Sequence, residues 1–149
     1  MLKSLKYLAL AALIALPTAG NAQNVGLFVH ERYVLPAVRI DATTFEIIEA
    51  DGAGGTQIWC GAGIFVRKVL GERGGDIYIS QARGPSQTMP GRKAVVFSTR
   101  PVPEAFKSVS EGVRQVGKTL SMAHAYALCR SGLSLSVRLR TADGALIRP

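Results

Sequence analysis

The chain has 149 residues, of which 48% are hydrophobic and 19% charged, and its formal net charge is +8. This length fits one domain. No repeat or low-complexity linker interrupts it, and no segment after the first 22 residues approaches the roughly 18 uninterrupted apolar residues that would suggest a second membrane span.

The first 22 residues have the pattern of a cleaved secretory signal. Lys3 and Lys6 form a short basic region, residues 7–16 are an apolar run, and residues 20–22 offer small side chains to a signal peptidase. The apolar run is too short to span a bilayer of about 30 Å. We therefore predict a signal peptide over 1–22, a periplasmic or secreted protein, and no stable membrane span after cleavage.

The mature chain, residues 23–149, carries its charge unevenly. Residues 23–82 contain five Lys/Arg and seven Asp/Glu, whereas residues 83–149 contain eleven and three. Arginine outnumbers lysine twelve to four in the mature chain. Because arginine grips carboxylates and phosphates at two points, this bias favours an anionic partner. The alternative is an ordinary solvated basic surface.

The first half of the mature chain predicts two extended segments. Residues 24–40 favour a short strand or an extended lead-in, because Pro36 opposes a long regular element. Residues 43–50 alternate as a strand does. One face of this strand carries Phe45 and Ile47, and the other face carries Glu46 and Ile48.

Residues 57–70 have the periodicity of a buried helix, which Thr56 would cap. Its main face gathers Ile58, Ala62, Phe65, Val66, Val69 and Leu70, with Trp59 at the edge and Cys60 and Ile64 opposite. Trp59 fits either the core or an aromatic platform for a ligand. The glycine pattern over 61–66 lacks the third glycine of a dinucleotide fingerprint, and no Walker sequence occurs, so we predict no nucleotide site.

Two further strands, over 76–81 and 92–99, are expected to pair antiparallel across a long loop, 82–91. Long loops on rigid hairpins often carry function. The loop is rimmed by Arg83, Arg92 and Lys93, with Ser86 and Thr88 as hydroxyl donors. These residues form our hypothesis for an anion-binding site.

The remaining sequence predicts a turn of helix over 104–109, a strand over 113–120, a helix over 122–130 capped by Ser121, and a half-buried strand over 133–140. Arg138 and Arg140 lie on the polar face of that last strand, and they complete the anion-binding hypothesis.

Two cysteines in an exported protein are expected to pair. A Cys60–Cys129 disulfide would close a loop of about 70 residues and contribute on the order of 4 kcal/mol in the chain-entropy model. The predicted fold is therefore a single α+β domain in which a small antiparallel sheet packs against two helices joined by one disulfide.

The familiar catalytic patterns are missing from the sequence. His30 and His124 are isolated, and a disulfide would silence both thiols, so no metal site, cysteine nucleophile or cofactor is predicted. Residues 84–88 lack the final glycine of a nucleophile elbow. We assign no catalytic residue.

Three strings of the sequence look familiar together: W-C-G-A-G at 59–63 with R-K-V-L-G at 67–71, I-Y-I-S-Q-A-R-G-P-S at 77–86 with P-G-R-K-A-V-V-F-S at 90–98, and V-G-K-T-L-S-M-A-H-A-Y-A-L-C at 116–129. Across about 43–130 the chain resembles a group of small exported alphaproteobacterial proteins of unknown function. The resemblance implies a common frame and no chemistry. That frame includes Trp59, Cys60, Gly84, Pro85, Ser86 and Cys129.

The sequence therefore predicts a non-enzymatic binding or interaction module whose basic face meets an anionic envelope component or an acidic protein. Two alternatives stay open. One is a small envelope-directed hydrolase that uses Ser86 or an acid within 46–51, and the other is a structural accessory of an envelope complex. The oligomeric state is not predicted.

Overall fold

A computed structural model describes residues 24–29, 33–130, 139–140 and 146–147. The predicted signal peptide over 1–22 and most of the predicted strand over 133–140 lie outside these residues. Within the described ranges, no helix is both long enough and apolar enough to cross a membrane.

The fold is α+β, as predicted, but its sheet is larger than the small sheet we expected. The strands are β1 (Asn24–Val29), β2 (Tyr33–Arg39), β3 (Thr44–Ile48), β4 (Asp76–Pro85), β5 (Lys93–Ser98), β6 (Phe106–Lys107), β7 (Lys118–Ser121), β8 (Leu139–Arg140) and β9 (Leu146–Ile147). Their order across the sheet is β6-β7-β4-β5-β3-β2-β1-β8-β9. Seven strands come from residues up to 121, and the sheet is completed by β8 and β9, which have two residues each. Neighbours are antiparallel except β6 and β7, which are parallel.

The sheet is larger mainly because the segment before residue 40 forms two strands. We expected Pro36 to prevent a long regular element, and this was wrong. Pro36 lies inside β2, opposite Gly26 of β1. The pairing of β2 with β3 begins only at Ala37, so the missing N–H of Pro36 removes no bond from that ladder.

The turn between β2 and β3 is fixed by an exposed carboxylate. Asp41 Oδ1 accepts hydrogen bonds from the backbone N–H groups of Thr43 at 2.7 Å and Thr44 at 2.8 Å. The Thr43 amide, helped by the Thr44 amide, holds the pKa of Asp41 below its ordinary value of 3.8. β3 therefore starts from a turn whose geometry depends on an ionised side chain.

The predicted helix over 57–70 is confirmed, and it begins two residues earlier. It consists of α1 (Gly55–Ile64) and a continuous π-helical segment, Phe65–Val69. Gly54, not Thr56, is the N-cap, and its N–H donates to the side-chain oxygen of Gln57 at 2.9 Å. The Thr56 hydroxyl instead donates to the carboxylate of Glu111.

Residues 58–64 of α1 are all buried, so this part of the helix has no exposed polar face. On the sheet side, the rings of Phe65 and Phe45 stack with centroids 4.5 Å apart, and Trp59 meets Phe97 at 4.9 Å. Trp59 is 0% exposed. Of the two interpretations of Trp59, the structure supports a core residue and leaves no surface for a ligand platform.

On its other side, α1 contacts α2 (Met122–Ala127). A Cβ added at Gly63 would lie 2.6 Å from the backbone nitrogen of Tyr126, so only glycine permits this approach. The predicted Cys60–Cys129 disulfide is present, with Cα atoms 5.0 Å apart, and it joins α1 to the 3-10 turn that follows α2. The predicted cap of α2 is also confirmed, because Ser121 Oγ accepts from His124 N–H at 3.1 Å.

Three expectations for the C-terminal half need correction. β4 continues through two register shifts to Pro85, so the predicted ten-residue loop shrinks to residues 86–92. The predicted helical turn over 104–109 is the strand β6, which pairs with β7. The predicted strand over 113–120 is shorter, starting only at Lys118, because Gly117 turns the chain with a φ of 82° against the Glu104 carbonyl.

Candidate functional site

The site lies where the polar face of the sheet meets the 86–92 loop, and a buried carboxylate organises it. Glu46 of β3 is 0% exposed. It accepts hydrogen bonds from Ser86 Oγ at 3.0 Å, Gln87 N–H at 2.7 Å, Thr88 N–H at 3.2 Å and Thr88 Oγ1 at 2.5 Å. All four donors are neutral groups of one loop. Glu46 therefore fixes the position of the 86–88 backbone by hydrogen bonding alone.

The same loop covers a small apolar cluster on this face. Met89 packs against Val38, Ile48 and Ala94, which point away from α1. The loop is therefore a lid over the outer face of the sheet, with a polar half on Glu46 and an apolar half on Ile48.

Ser86 and Thr88 were predicted as hydroxyl donors for an external anion, and the structure places both on Glu46. Ser86 Oγ also accepts from the backbone N–H groups of Thr88 at 3.2 Å and Met89 at 2.8 Å. His124 lies elsewhere, lining a separate surface pocket with Lys107 and Val109. Among the described residues, Ser86 therefore has a carboxylate partner but no imidazole.

Next to this lid is an open pocket of about 750 Å³, between the end of β4, the start of β5 and the segment before β7. Its charged lining residues are Arg83, Arg92, Lys93 and Arg114. The structure thus brings together the three predicted cations of the loop and adds Arg114, which the sequence analysis missed. Arg114 had no local signal, since it was one of eleven cations in the basic half.

A backbone contact explains how Arg114 reaches the pocket. The register of β4 shifts between Gln81 and Gly84, and there the Arg83 N–H donates to the Val113 carbonyl at 2.8 Å instead of to a strand. The chain at Val113 is thereby held against the end of β4, and its next residue, Arg114, enters the pocket wall.

One acidic residue positions two of the four cations. Arg83 Nε donates to a carboxylate oxygen of Glu49 at 2.7 Å, and its terminal nitrogen contacts the other oxygen. Arg92 donates to the Glu49 carbonyl at 2.8 Å. Lys93 and Arg114 are exposed, and neither forms an ion pair within the described part of the chain. Within the described residues, four cations and no carboxylate line this pocket, which gives it a strongly positive local balance.

A second pocket of about 470 Å³ adjoins the first, and both are lined by Arg83 and Arg114. It adds Thr56, Glu111 and Lys118 to the lining. Lys118 is 4% exposed, and its Nζ donates to Ser110 Oγ at 2.9 Å. We call the two pockets together the basic groove.

Arg138 and Arg140 were predicted to join the same anion-binding site. Arg138 lies outside the described residues. Arg140 is in β8, where its backbone pairs with Gly26 of β1. Counted along the sheet, β8 is four strands from β5, or about 19 Å at the usual strand spacing. The structure does not bring the backbone of Arg140 to the basic groove.

Within the described ranges, no group of three or more His, Cys, Asp and Glu residues is placed to hold a metal ion. The chain matches no protein-family model, no curated protein and no solved structure. The resemblance to small exported proteins therefore stays a prediction.

Proposed function

We propose that the exported, mature protein is a non-enzymatic binding module that holds an anionic envelope component, with phosphate groups as the preferred ligand. The observation that carries this proposal is the convergence of Arg83, Arg92, Lys93 and Arg114 on one open pocket, beside which the Glu49 carboxylate pairs with Arg83. Planar guanidinium groups bind phosphate through two parallel hydrogen bonds, so three arginines in one wall favour a phosphoryl oxyanion.

The character of the lining supports binding over catalysis. The described lining residues of the groove include no aromatic side chain for stacking a base or sugar, and no histidine. The hydrolase alternative would need Glu46 to act as the base for Ser86, but Glu46 is 0% exposed and already accepts three further hydrogen bonds from Gln87 and Thr88. An acidic protein remains a second source of anionic groups for the same wall of cations.

The test compares two triple variants that lose the same charge. The groove variant is Arg92→Gln, Lys93→Gln and Arg114→Gln, and the control is Lys68→Gln, Arg73→Gln and Arg100→Gln, which are exposed residues that do not line the groove. Arg83 is left intact because it is paired with Glu49. Each protein is eluted from immobilised heparin and from phosphorylated lipopolysaccharide with a salt gradient.

We expect the groove variant to elute at clearly lower salt than the control variant. Salt weakens long-range attraction as the Debye length falls from about 10 Å at 0.1 M to about 3 Å at 1 M. Equal elution of the two triple variants on both matrices would mean that the charge is an ordinary solvated surface, and the proposal would be wrong.

A further inference from the structure

Lys118 is a buried cation that has no ion-pair partner among the described residues. It is 4% exposed, and its Nζ donates to the neutral hydroxyl of Ser110. The ion pairs of the described residues join Arg83 to Glu49 and Lys107 to Asp76, and none involves Lys118. Burying an ammonium group without a counter-ion is costly, and this cost is reduced when an anion binds beside it.

Lys118 lies at one end of the basic groove and Lys93 at the other. Lys118 lines only the second pocket, and Arg92 and Lys93 line only the first. Arg83 and Arg114 line both pockets and therefore lie between the two ends. The cations form a continuous track, which is longer than one phosphate group needs.

We propose that the ligand of the groove carries at least two linked phosphoryl groups, one held by Arg92 and Lys93 and another held by Lys118, with Arg83 and Arg114 binding the connection. This inference rests on the proposed function, since it specifies the ligand of the same groove. It adds a distinct claim, namely that a chain of phosphates binds better than a single phosphate and that Lys118 is the reason.

One acidic residue of the second pocket limits how the ligand fits. The carboxylate of Glu111 lines that pocket and accepts a hydrogen bond from the Thr56 hydroxyl at the start of α1. A phosphoryl group at Lys118 would therefore bind with a carboxylate nearby. Glu111→Gln removes this repulsion, so it should tighten the binding of a phosphate chain several-fold while leaving single-phosphate binding at the other end almost unchanged.

The experiment is calorimetric titration at low salt with inorganic phosphate and with tripolyphosphate. Wild-type protein is compared with Lys118→Met and with the control Lys68→Met, which removes an exposed lysine that does not line the groove. Methionine is close to lysine in volume, and replacing a buried charge by an apolar side chain is often neutral for stability.

We expect wild type and Lys68→Met to bind tripolyphosphate at least about tenfold tighter than phosphate, and Lys118→Met to lose most of this gain, because each charge-assisted contact is worth about a factor of ten. Lys118→Met should still bind a single phosphate at the end formed by Arg92 and Lys93. If Lys118→Met keeps the whole gain, the inference is wrong but the proposed function stands. If wild type binds neither ligand, both are wrong.

A second variant keeps the test decisive if Lys118→Met does not fold. In Gly112→Ala the new methyl group would lie 3.1 Å from Lys118 Nζ, so it crowds the ammonium group without removing it. The tripolyphosphate gain should shrink in this variant as well, and an undiminished gain would overturn the inference.

Competition with lipopolysaccharide identifies the source of the ligand. If tripolyphosphate displaces the protein from lipopolysaccharide, the ligand is membrane-borne. If the protein binds tripolyphosphate but not lipopolysaccharide, the ligand is soluble. Both outcomes support a linked-phosphate site.

Discussion

The two faces of β3 are covered in opposite ways. On the inner face, Phe45 and Ile47 pack under α1 in one apolar core. On the outer face, Glu46 lies under the 86–88 backbone and Ile48 under Met89. On the inner face, α1 is held by apolar packing and by the Cys60–Cys129 disulfide. On the outer face, the loop is held by the Glu46 carboxylate, whose hydrogen-bond partners lie some forty residues further along the chain.

The difference matters because the basic groove is built on the outer side. Glu46 holds the loop that leads into Arg92 and Lys93, and Glu49 holds Arg83 and Arg92 directly. Acidic residues of the segment 23–82 therefore position basic residues of the segment 83–149. Four predictions, in order of decreasing effect on stability, test this contrast between an apolar and a polar cover.

The largest effect is expected from removing the disulfide on the inner side. Cys60→Ser should lower the free energy of unfolding by about 2–5 kcal/mol, measured by denaturant titration. Cys129→Ser is the matched control, and it should cost a similar amount, because both remove the same bond. The double variant should cost no more than about either single variant. Additive losses would show that the cysteines stabilise the fold separately.

The next effect concerns the contact between α1 and α2. Gly63→Ala should destabilise the protein by about 1–3 kcal/mol, because its Cβ would lie 2.6 Å from the Tyr126 nitrogen. Gly61→Ala is the control, since its Cβ would lie at least 3.4 Å from the nearest atom, on Leu35, and alanine favours a helix by up to about 1 kcal/mol. Thermal melts of both variants provide the comparison. Equal stabilities would contradict the close packing inferred at Gly63.

On the outer face, Glu46→Gln should cost about 1–3 kcal/mol, because an amide NH₂ would face a hydrogen-bond donor of the loop. Hydrogen exchange at the amides of Gln87 and Thr88 should accelerate, while exchange in α1 should change far less. Anion binding should weaken too, because the loop leads into Arg92 and Lys93. Unchanged exchange at these two amides would mean that Glu46 does not hold the lid.

The smallest effect is expected at Asp41, an exposed carboxylate that also accepts two backbone hydrogen bonds. Folding lowers its pKa, so its contribution is present above about pH 4 and is lost as the pH falls through the lowered value. The stability difference between wild type and Asp41→Asn should therefore shrink on acidification. A difference that stays constant from about pH 7 to pH 2 would contradict this account.

The inner side of the molecule could be predicted from the sequence because apolar periodicity is a local signal. The helix over 57–70, the alternation around Phe45 and the cap at Ser121 are all read from neighbouring residues. Pro36 was misjudged because its effect depends on which strand lies on each side, and this is a property of the whole sheet.

The outer side could be predicted only in part, because its contacts join distant residues. The proximity of Arg83, Arg92 and Lys93 could be read from the sequence, since one hairpin carries all three. Arg114 reaches the groove through the contact between Arg83 and Val113, which no local pattern records. No local pattern records the pairing of Arg83 with half-buried Glu49 either, and removing Arg83 would leave that carboxylate unpaired.

The most direct test of the central claim is where an anion binds. Backbone ¹H–¹⁵N spectra of the mature protein, recorded during titration with tripolyphosphate, report each amide separately. We expect saturable shifts confined to the groove, at Gly84, Gly91, Gly112 and Arg114, and little change at exposed cations elsewhere, such as Arg73 and Arg100. Weak, unsaturated shifts spread over all exposed arginines and lysines would contradict the account, because they are the signature of a solvated basic surface without a site.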